Sequence, residues 1–403
     1  MVQFCYICKK TDDMDTNIVA YMQNQLANIP TDFQRYMYDR INWNDRMFGL
    51  VGPRGVGKTI LFLQYIKRNI DREKILYISA DNTYFSTHTL VDVADEFSKE
   101  GGRQLFIDEV HKYADWSREL KQIYDTHPDL KIAFTGSSIL DINKGEADLS
   151  RRAPMYYMQG LSFREYLAMF HKIMVPAYSL DDILNQKATI TDVQHPLPLF
   201  RHYLQKGYYP FSSDSRFEVE LNQVINFTME VDIPQFARMN ASTGQKLKKL
   251  LGIVAESTPF KPVMDKIAKM ISVSRNDIGD YFYYMERAGM IEQLRNSTGG
   301  IIGLGKVEKI YLDNTNLAYV LGGEATNIGN IRETFFFNQM RVNHKVLSSD
   351  VSDFKIDNRT FEVGGKNKGQ KQLANVDNGF VVKDDIEYGS ANIVPLWAFG
   401  LNY

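Results

Sequence analysis

The chain has 403 residues, room for roughly two to four domains. Lys and Arg number 47 against 49 Asp and Glu, a formal net charge of -2, which excludes a polybasic chain held on nucleic acid by bulk charge. With 44% hydrophobic and 24% charged residues it is not a disordered acidic chain either, and it can bury sizeable cores.

The first elements in chain order are sparse. Cys5 and Cys8 are the only cysteines and form one C-x-x-C. One pair cannot build a disulfide framework and supplies half of a four-ligand zinc site. A reducing interior, the cytoplasm, is the natural compartment. No apolar run approaches the ~18 residues of a membrane span, so no membrane contact is expected. The start lacks a charged segment before its short apolar stretch and does not read as a signal peptide. Residues 10–45 are polar and aromatic, with helical spacing around Ile18, Tyr21, Met22 and Leu26.

Residues 47–52 then read as a short buried strand meeting glycine, and 59–70 as a helix. Further apolar strands follow at 75–80, 104–109 and 131–138, with a helical pattern over 115–127 between the last two. Residues 153–160 supply a fifth strand. Strands alternating with helices imply βαβ units, an α/β class and a mainly parallel sheet. From 162 to 260 the pattern is almost wholly helical. Residues 262–320 read helix, turn, helix, then strands around 299–305, the order of a winged helix-turn-helix. Beyond 327 a helix (IRETFFFNQMRV) precedes strand-like DFKID, RTFEVGG and NIVPLWAF.

The motif Gly52-Pro53-Arg54-Gly55-Val56-Gly57-Lys58-Thr59 fits G-x-x-x-x-G-K-[ST] between a strand and a helix. Glycines let backbone N–H groups wrap phosphates, and the helix start adds positive potential. Lys58 is expected on the β- and γ-phosphates of ATP and Thr59 on Mg, with Ile60 completing the nucleotide-binding run. Leu105–Glu109 is an apolar strand ending in two acids. A buried strand gains nothing from carboxylates, so they belong at its exposed end beside the phosphate loop. Asp108 is expected to hold Mg, and Glu109 to polarise the attacking water. That second acid favours a hydrolase over a small-molecule kinase. Strand four ends Thr135-Gly136-Ser137-Ser138, where a hydroxyl senses the γ-phosphate or simply caps a turn. Arg151 and Arg152 precede strand five, where an arginine either reaches a neighbouring subunit's nucleotide or lies on the surface.

In this order the motifs resemble the AAA+ superfamily, and more narrowly prokaryotic ATPases that join an AAA+ core to a winged helix and a C-terminal region related to PD-(D/E)XK nucleases. YDRINWNDRMFGLVGPRGVGKT, the LSRR–GLSFREYL stretch and FEVGGKNKGQKQL carry the likeness. It implies an extension over 1–30, an AAA+ core over 31–161, a helical lid over 162–244, a winged helix over 245–323 and a small α/β nuclease-like domain over 324–403. It implies Gly52, Gly57, Lys58 and Thr59 on phosphates and Mg, Asp108 and Glu109 in the metal and water roles, and Thr135 or Ser137 as sensor. In the family a Gly-Arg pair lies thirteen residues before a glutamate matching Glu165, which selects Arg152 over Arg151. It also implies a homo-oligomer acting on a protein partner.

Residues 241–310 hold eleven Lys/Arg against seven Asp/Glu. Lys246, Lys248, Lys249, Lys266, Lys269 and Arg275 are positioned to meet DNA phosphates, whereas Asp277, Asp280 and Glu286 on the second helix oppose them. Tyr281, Phe282 and Met285 there read as core. In the last region Glu333, Asp353 and Glu362 match nuclease carboxylates, but Gly364 stands where the lysine belongs, and Lys366 lies two residues on. The leading expectation is ATP hydrolysis driving a conformational change of the C-terminal domains. An ATP-gated DNA-binding protein or nuclease is the alternative, and a scaffold assembling on ATP a third class.

Overall fold

The computed structural model describes residues 16–70, 74–136, 149, 151–191, 193–213, 215–257, 259, 261–296, 306–323 and 326–403. Cys5, Cys8, Ser137 and Ser138 lie outside them. The chain divides into two compact units at Gln159/Gly160.

The first unit opens with α1 (Thr16–Ala27) and a short α2 (Met37–Arg40). It then alternates β1 (Met47–Val51), α3 (Lys58–Asn69), β2 (Ile75–Ser79), α4 (Leu90–Lys99), β3 (Gln104–Asp108), α5 (Trp116–Thr126), β4 (Lys131–Gly136) and β5 (Met155–Tyr157). All five strands are parallel, in the order β2-β3-β4-β1-β5. Every residue of β1, β2 and β3 is buried. A parallel sheet covered on both faces wants such unbroken apolar runs, which is why they stand out in the sequence. Thr89 and Asp92 form a reciprocal capping box that starts α4. Leu76, Ile78, Leu105, Ile107, Ile132 and Phe134 meet Leu90, Val93, Leu120 and Ile123 in one apolar core.

The second unit begins with α6 (Phe163–His171), again started by a capping box, Ser162 with Glu165. The region expected to be almost wholly helical carries only helices and irregular stretches: residues 172–179 and 187–191 are irregular, and the helices at Leu180–Leu184, Leu197–His202 and Ile233–Ala237 are short. Two π-helical turns, Tyr203–Gly207 and Thr228–Asp232, interrupt it further. After the longer helix Ala241–Ser257 come α-helices Met264–Ile271 and Arg275–Arg287, then β6 (Ile291–Arg295) and β7 (Val307–Leu312), an antiparallel pair. The strands flank residues 299–305, which lie outside the described set. Helix Ile328–Met340 then packs on a mixed five-stranded sheet of β8 (Val346–Ser348), β9 (Phe354–Ile356), β10 (Arg359–Gly364), β11 (Gly379–Lys383) and β12 (Ile393–Pro395). Strands β8, β9 and β10 pair antiparallel, and β10, β11 and β12 parallel. The expected strand NIVPLWAF ends at Pro395 and continues as a 3₁₀ helix, Leu396–Leu401, buried throughout. An aromatic core of Phe163, Phe200, Phe335, Phe336, Phe361 and Phe399 joins α6 to this sheet.

Candidate functional site

Because β4 lies between β3 and β1 and all three run the same way, their C-terminal ends form one edge. The loop from β1 to α3 starts there. Gly52 has φ 152°, and a Cβ on it would sit 2.1 Å from the Met158 carbonyl oxygen, so only glycine fits. Gly57, at φ 96°, is the left-handed residue just before α3. Lys58 is buried, and its Nζ donates to the carbonyls of Gly52 and Pro53, 2.8 Å each, curling the side chain over its own loop. Val56 is fully buried, whereas Ile60 is 40% exposed on the first turn of α3.

Asp108, at the end of β3, is the hub. Its Oδ2 accepts from Thr59 Oγ1 at 2.8 Å and from Tyr77 OH at 3.0 Å, and its Oδ1 accepts from Thr135 Oγ1. Thr135 also accepts from the Glu109 N–H at 3.1 Å. The predicted residues Lys58, Thr59, Asp108, Glu109 and Thr135 are thus brought together from three strand ends. Burial, followed by the Asp108 charge, holds the Tyr77 hydroxyl far above its ordinary range, so it stays a donor. Glu109 takes φ 54°, an uncommon conformation for a residue with a side chain. Its Oε2 lies 3.4 Å from His111 Nε2. Burial, then the cationic Lys112, Lys58 and Arg54, pushes the His111 pKa down to about 3, so the imidazole is neutral at pH 7.

Tyr77, His111 and Arg35 were not singled out in the sequence. Arg35 is 5% exposed and donates through Nη1 to the Val56 carbonyl of the phosphate loop and through Nη2 to the Gln159 carbonyl at 2.7 Å.

Arg152 is not brought to this edge. It precedes β5, which runs parallel to β1, and so lies at the opposite, N-terminal edge of the sheet. There Nε and Nη2 pair with Asp125 at 3.2 and 3.3 Å.

Residues 44–167 match the family model described as an AAA domain. This segment is an AAA domain. The match spans the phosphate loop, the acid pair, Thr135 and Arg152. Residues 197–327 match a second family, a domain of unknown function. No curated protein matches the chain. Among solved structures, a Walker-type ATPase of Pyrococcus abyssi is similar at 11% identity and TM-score 0.45, over 74% of this chain and 99% of that one. DnaA of Aquifex aeolicus bound to AMPPCP is similar at 14% identity and TM-score 0.24, over 67% and 88%. PCH-2 of C. elegans is similar at 15% identity and TM-score 0.25, over 68% and 65%. The AAA domain rests on the family match and the site geometry, not on these likenesses. No helix among the described residues is long and apolar enough to cross a membrane.

Beyond the AAA domain, Glu333 and Asp353 share one cation: Lys309 Nζ lies 3.2 Å from Glu333 Oε2 and 3.1 Å from Asp353 Oδ1. Burial opposes the charged ammonium, but the two carboxylates outweigh it and raise the Lys309 pKa. Tyr311 OH donates to Glu333 at 2.7 Å. Glu362 pairs with Lys368 rather than Lys366, and accepts from Ser352 Oγ at 2.5 Å. No three His, Cys, Asp or Glu side chains among the described residues group to hold a metal ion. On the helix Arg275–Arg287, Tyr281, Phe282 and Met285 are buried, as expected for core. Glu286 binds the Gln293 N–H at 2.9 Å and Arg295 at 2.8 Å, tying that helix to β6. Lys248 and Arg275 pair with Glu230 and Asp265.

Proposed function

We propose that the chain is a Mg-dependent ATP hydrolase whose nucleotide cycle drives a conformational change in the region after the AAA domain. The observation that carries this reading is the 2.8 Å hydrogen bond from Thr59, on the phosphate loop, to Asp108, with Glu109 next in the chain. A hydroxyl and a carboxylate side by side are the hard oxygen donors that suit Mg, so the residues fit the ion. Thr59 and Asp108 would hold it, and it supplies neutralisation of charge on the β- and γ-phosphates. Gly52 to Ile60 bind the nucleotide, and Lys58 exchanges its two loop carbonyls for phosphate oxygens. Glu109 orients and deprotonates the attacking water. Thr135, already bonded to both acids of the pair, acts as sensor; Ser137 shares that role.

Arg152 lies at the edge opposite its own phosphate loop, which supports action on a neighbouring copy and hence a homo-oligomer. On this reading the chain comprises an extension over 1–30, the ATPase core over 31–161, a helical lid over 162–244, a winged helix over 245–323 and a nuclease-like domain over 324–403. The helix pair followed by an antiparallel strand pair supports a winged helix. The helix bearing Glu333, followed by antiparallel and then parallel strands, supports a nuclease-like fold, while Lys309 between its carboxylates speaks against nuclease activity. The basic excess over 241–310 favours a second reading, ATP-gated DNA binding, tested by duplex affinity at low and high salt with and without ATP.

Steady-state ATP turnover tests the main reading. Glu109→Gln is expected to keep ATP binding and lose about 10²–10⁴-fold in rate. Lys58→Ala is expected to lose binding and turnover together. No hydrolysis by the wild type, or both variants matching it, overturns the proposal.

A further inference from the structure

Arg35 lies outside every motif, yet it is buried and its guanidinium fork holds two backbone carbonyls far apart in sequence. One belongs to Val56 in the phosphate loop, the other to Gln159, the last residue of the first unit. A trans peptide is planar, with its C=O and the next N–H pointing opposite ways. Holding the Val56 carbonyl on Arg35 therefore fixes the Gly57 N–H to point away from Arg35. Phosphate recognition needs the loop N–H groups held in fixed directions.

The rest of the segment is anchored to keep Arg35 in place. Gln64, on α3, donates to the carbonyls of Pro30 and Phe33 at 2.8 and 2.9 Å. Arg68, one turn further on, reaches the Thr31 carbonyl at 3.1 Å. At the other arm of the fork, the Gln159 N–H donates to the Tyr36 hydroxyl at 3.3 Å, and the Met158 N–H donates to the Val51 carbonyl at 2.7 Å. Gln159 is thus held through both its N–H and its carbonyl by neighbours in sequence, Tyr36 and Arg35.

We propose that Arg35 is a positioning residue of the phosphate site, presetting the Val56–Gly57 peptide for phosphate and linking its state to the Gln159 backbone at the end of the first unit. The inference rests on the nucleotide-binding reading above. Lysine keeps the charge but has no planar fork and cannot reproduce two divergent bonds. Hydrogen bonds from a charged donor are worth ~1.5–3 kcal/mol, so losing one should weaken nucleotide binding about ten- to hundredfold.

The test compares wild type, Arg35→Lys and Arg35→Ala, with far-UV circular dichroism as the folding check. Binding of a fluorescent ATP analogue and amide exchange with and without saturating ATP are measured. In wild type, ATP should slow exchange at residues 57–59 and at Gln159 and Gly160. In Arg35→Lys, binding should weaken by that factor, and at saturation protection should persist at 57–59 but vanish at 159–160. Wild-type affinity and both protected segments in Arg35→Lys overturn the proposal. So does a wild type that protects 57–59 without any change at 159–160. A wild type that binds no nucleotide fails the underlying reading itself, and this inference with it.

Discussion

His111 makes acid stability a test of the site. In the folded chain burial holds its pKa down to about 3, whereas in the unfolded chain it returns to its ordinary value near 6.5. The unfolded state therefore binds a proton between those values that the folded state refuses. Stability contributed by neutral His111 is fully present above pH 6.5 and is lost as pH falls toward 3. At pH 7.5 the unfolded side chain is about one-tenth protonated, and at pH 5.5 about ten-elevenths. The difference costs about 1.4 kcal/mol, and each further pH unit costs about the same again. Carboxylates add their own slopes, so the informative quantity is wild type minus His111→Gln. Glutamine keeps a donor near Glu109 but cannot take up the proton. Urea unfolding of both proteins at pH 7.5, 6.5 and 5.5 should show the variant gaining about 1.4 kcal/mol on the wild type across that range. Parallel curves, with a difference constant to within a few tenths of a kcal/mol, would refute a buried neutral His111.

Two further outcomes follow from other parts of the chain. Arg152→Ala should bind ATP normally yet lose about 10³-fold or more in turnover. Mixing it with Lys58→Ala chains, which still carry Arg152, should restore part of the rate; full activity of Arg152→Ala alone would remove the arginine from the mechanism. Lys309→Met should destabilise by ~3 kcal/mol, since it leaves Glu333 and Asp353 facing each other without their shared cation. Glu333→Gln in that background should recover part of the loss in urea unfolding, and an additive double-mutant cycle would show that the three groups do not act together.

The sheet of the AAA domain was readable because β1 to β4 are buried on both faces and so appear as unbroken apolar runs. Its phosphate loop was readable because the motif joins a strand to a helix. Residues 396–399 misled for the same reason that the strands did not: they are apolar and buried, and a short apolar run carries no period to separate strand from helix. Strand β8 has three half-buried residues and leaves too little pattern to read. β11 was missed as well; its five residues show too few alternations to identify a strand. Arg35, Tyr77 and His111 are a different case. Tyr77 meets Asp108 across 31 positions, and Arg35 meets Gln159 across 124, so only the folded chain pairs them. His111 sits two residues from Glu109, but its meaning comes from burial, which no spacing reveals. The lysine at Glu362 was sought at Lys366 and found at Lys368, because the chain bends after Gly364.

The crowding of hydroxyls on Asp108 has a consequence for the order in which the site fills. Thr59, Tyr77 and Thr135 together engage both carboxylate oxygens before any ligand arrives. On the proposed reading, a bare divalent ion would compete with these hydroxyls for the Asp108 carboxylate and would have to shed water to reach it. An ion already bound to a triphosphate would bring its own oxygen ligands and would need only Thr59 and one edge of Asp108. On the proposed reading, the site would favour the cation–nucleotide pair over the lone cation.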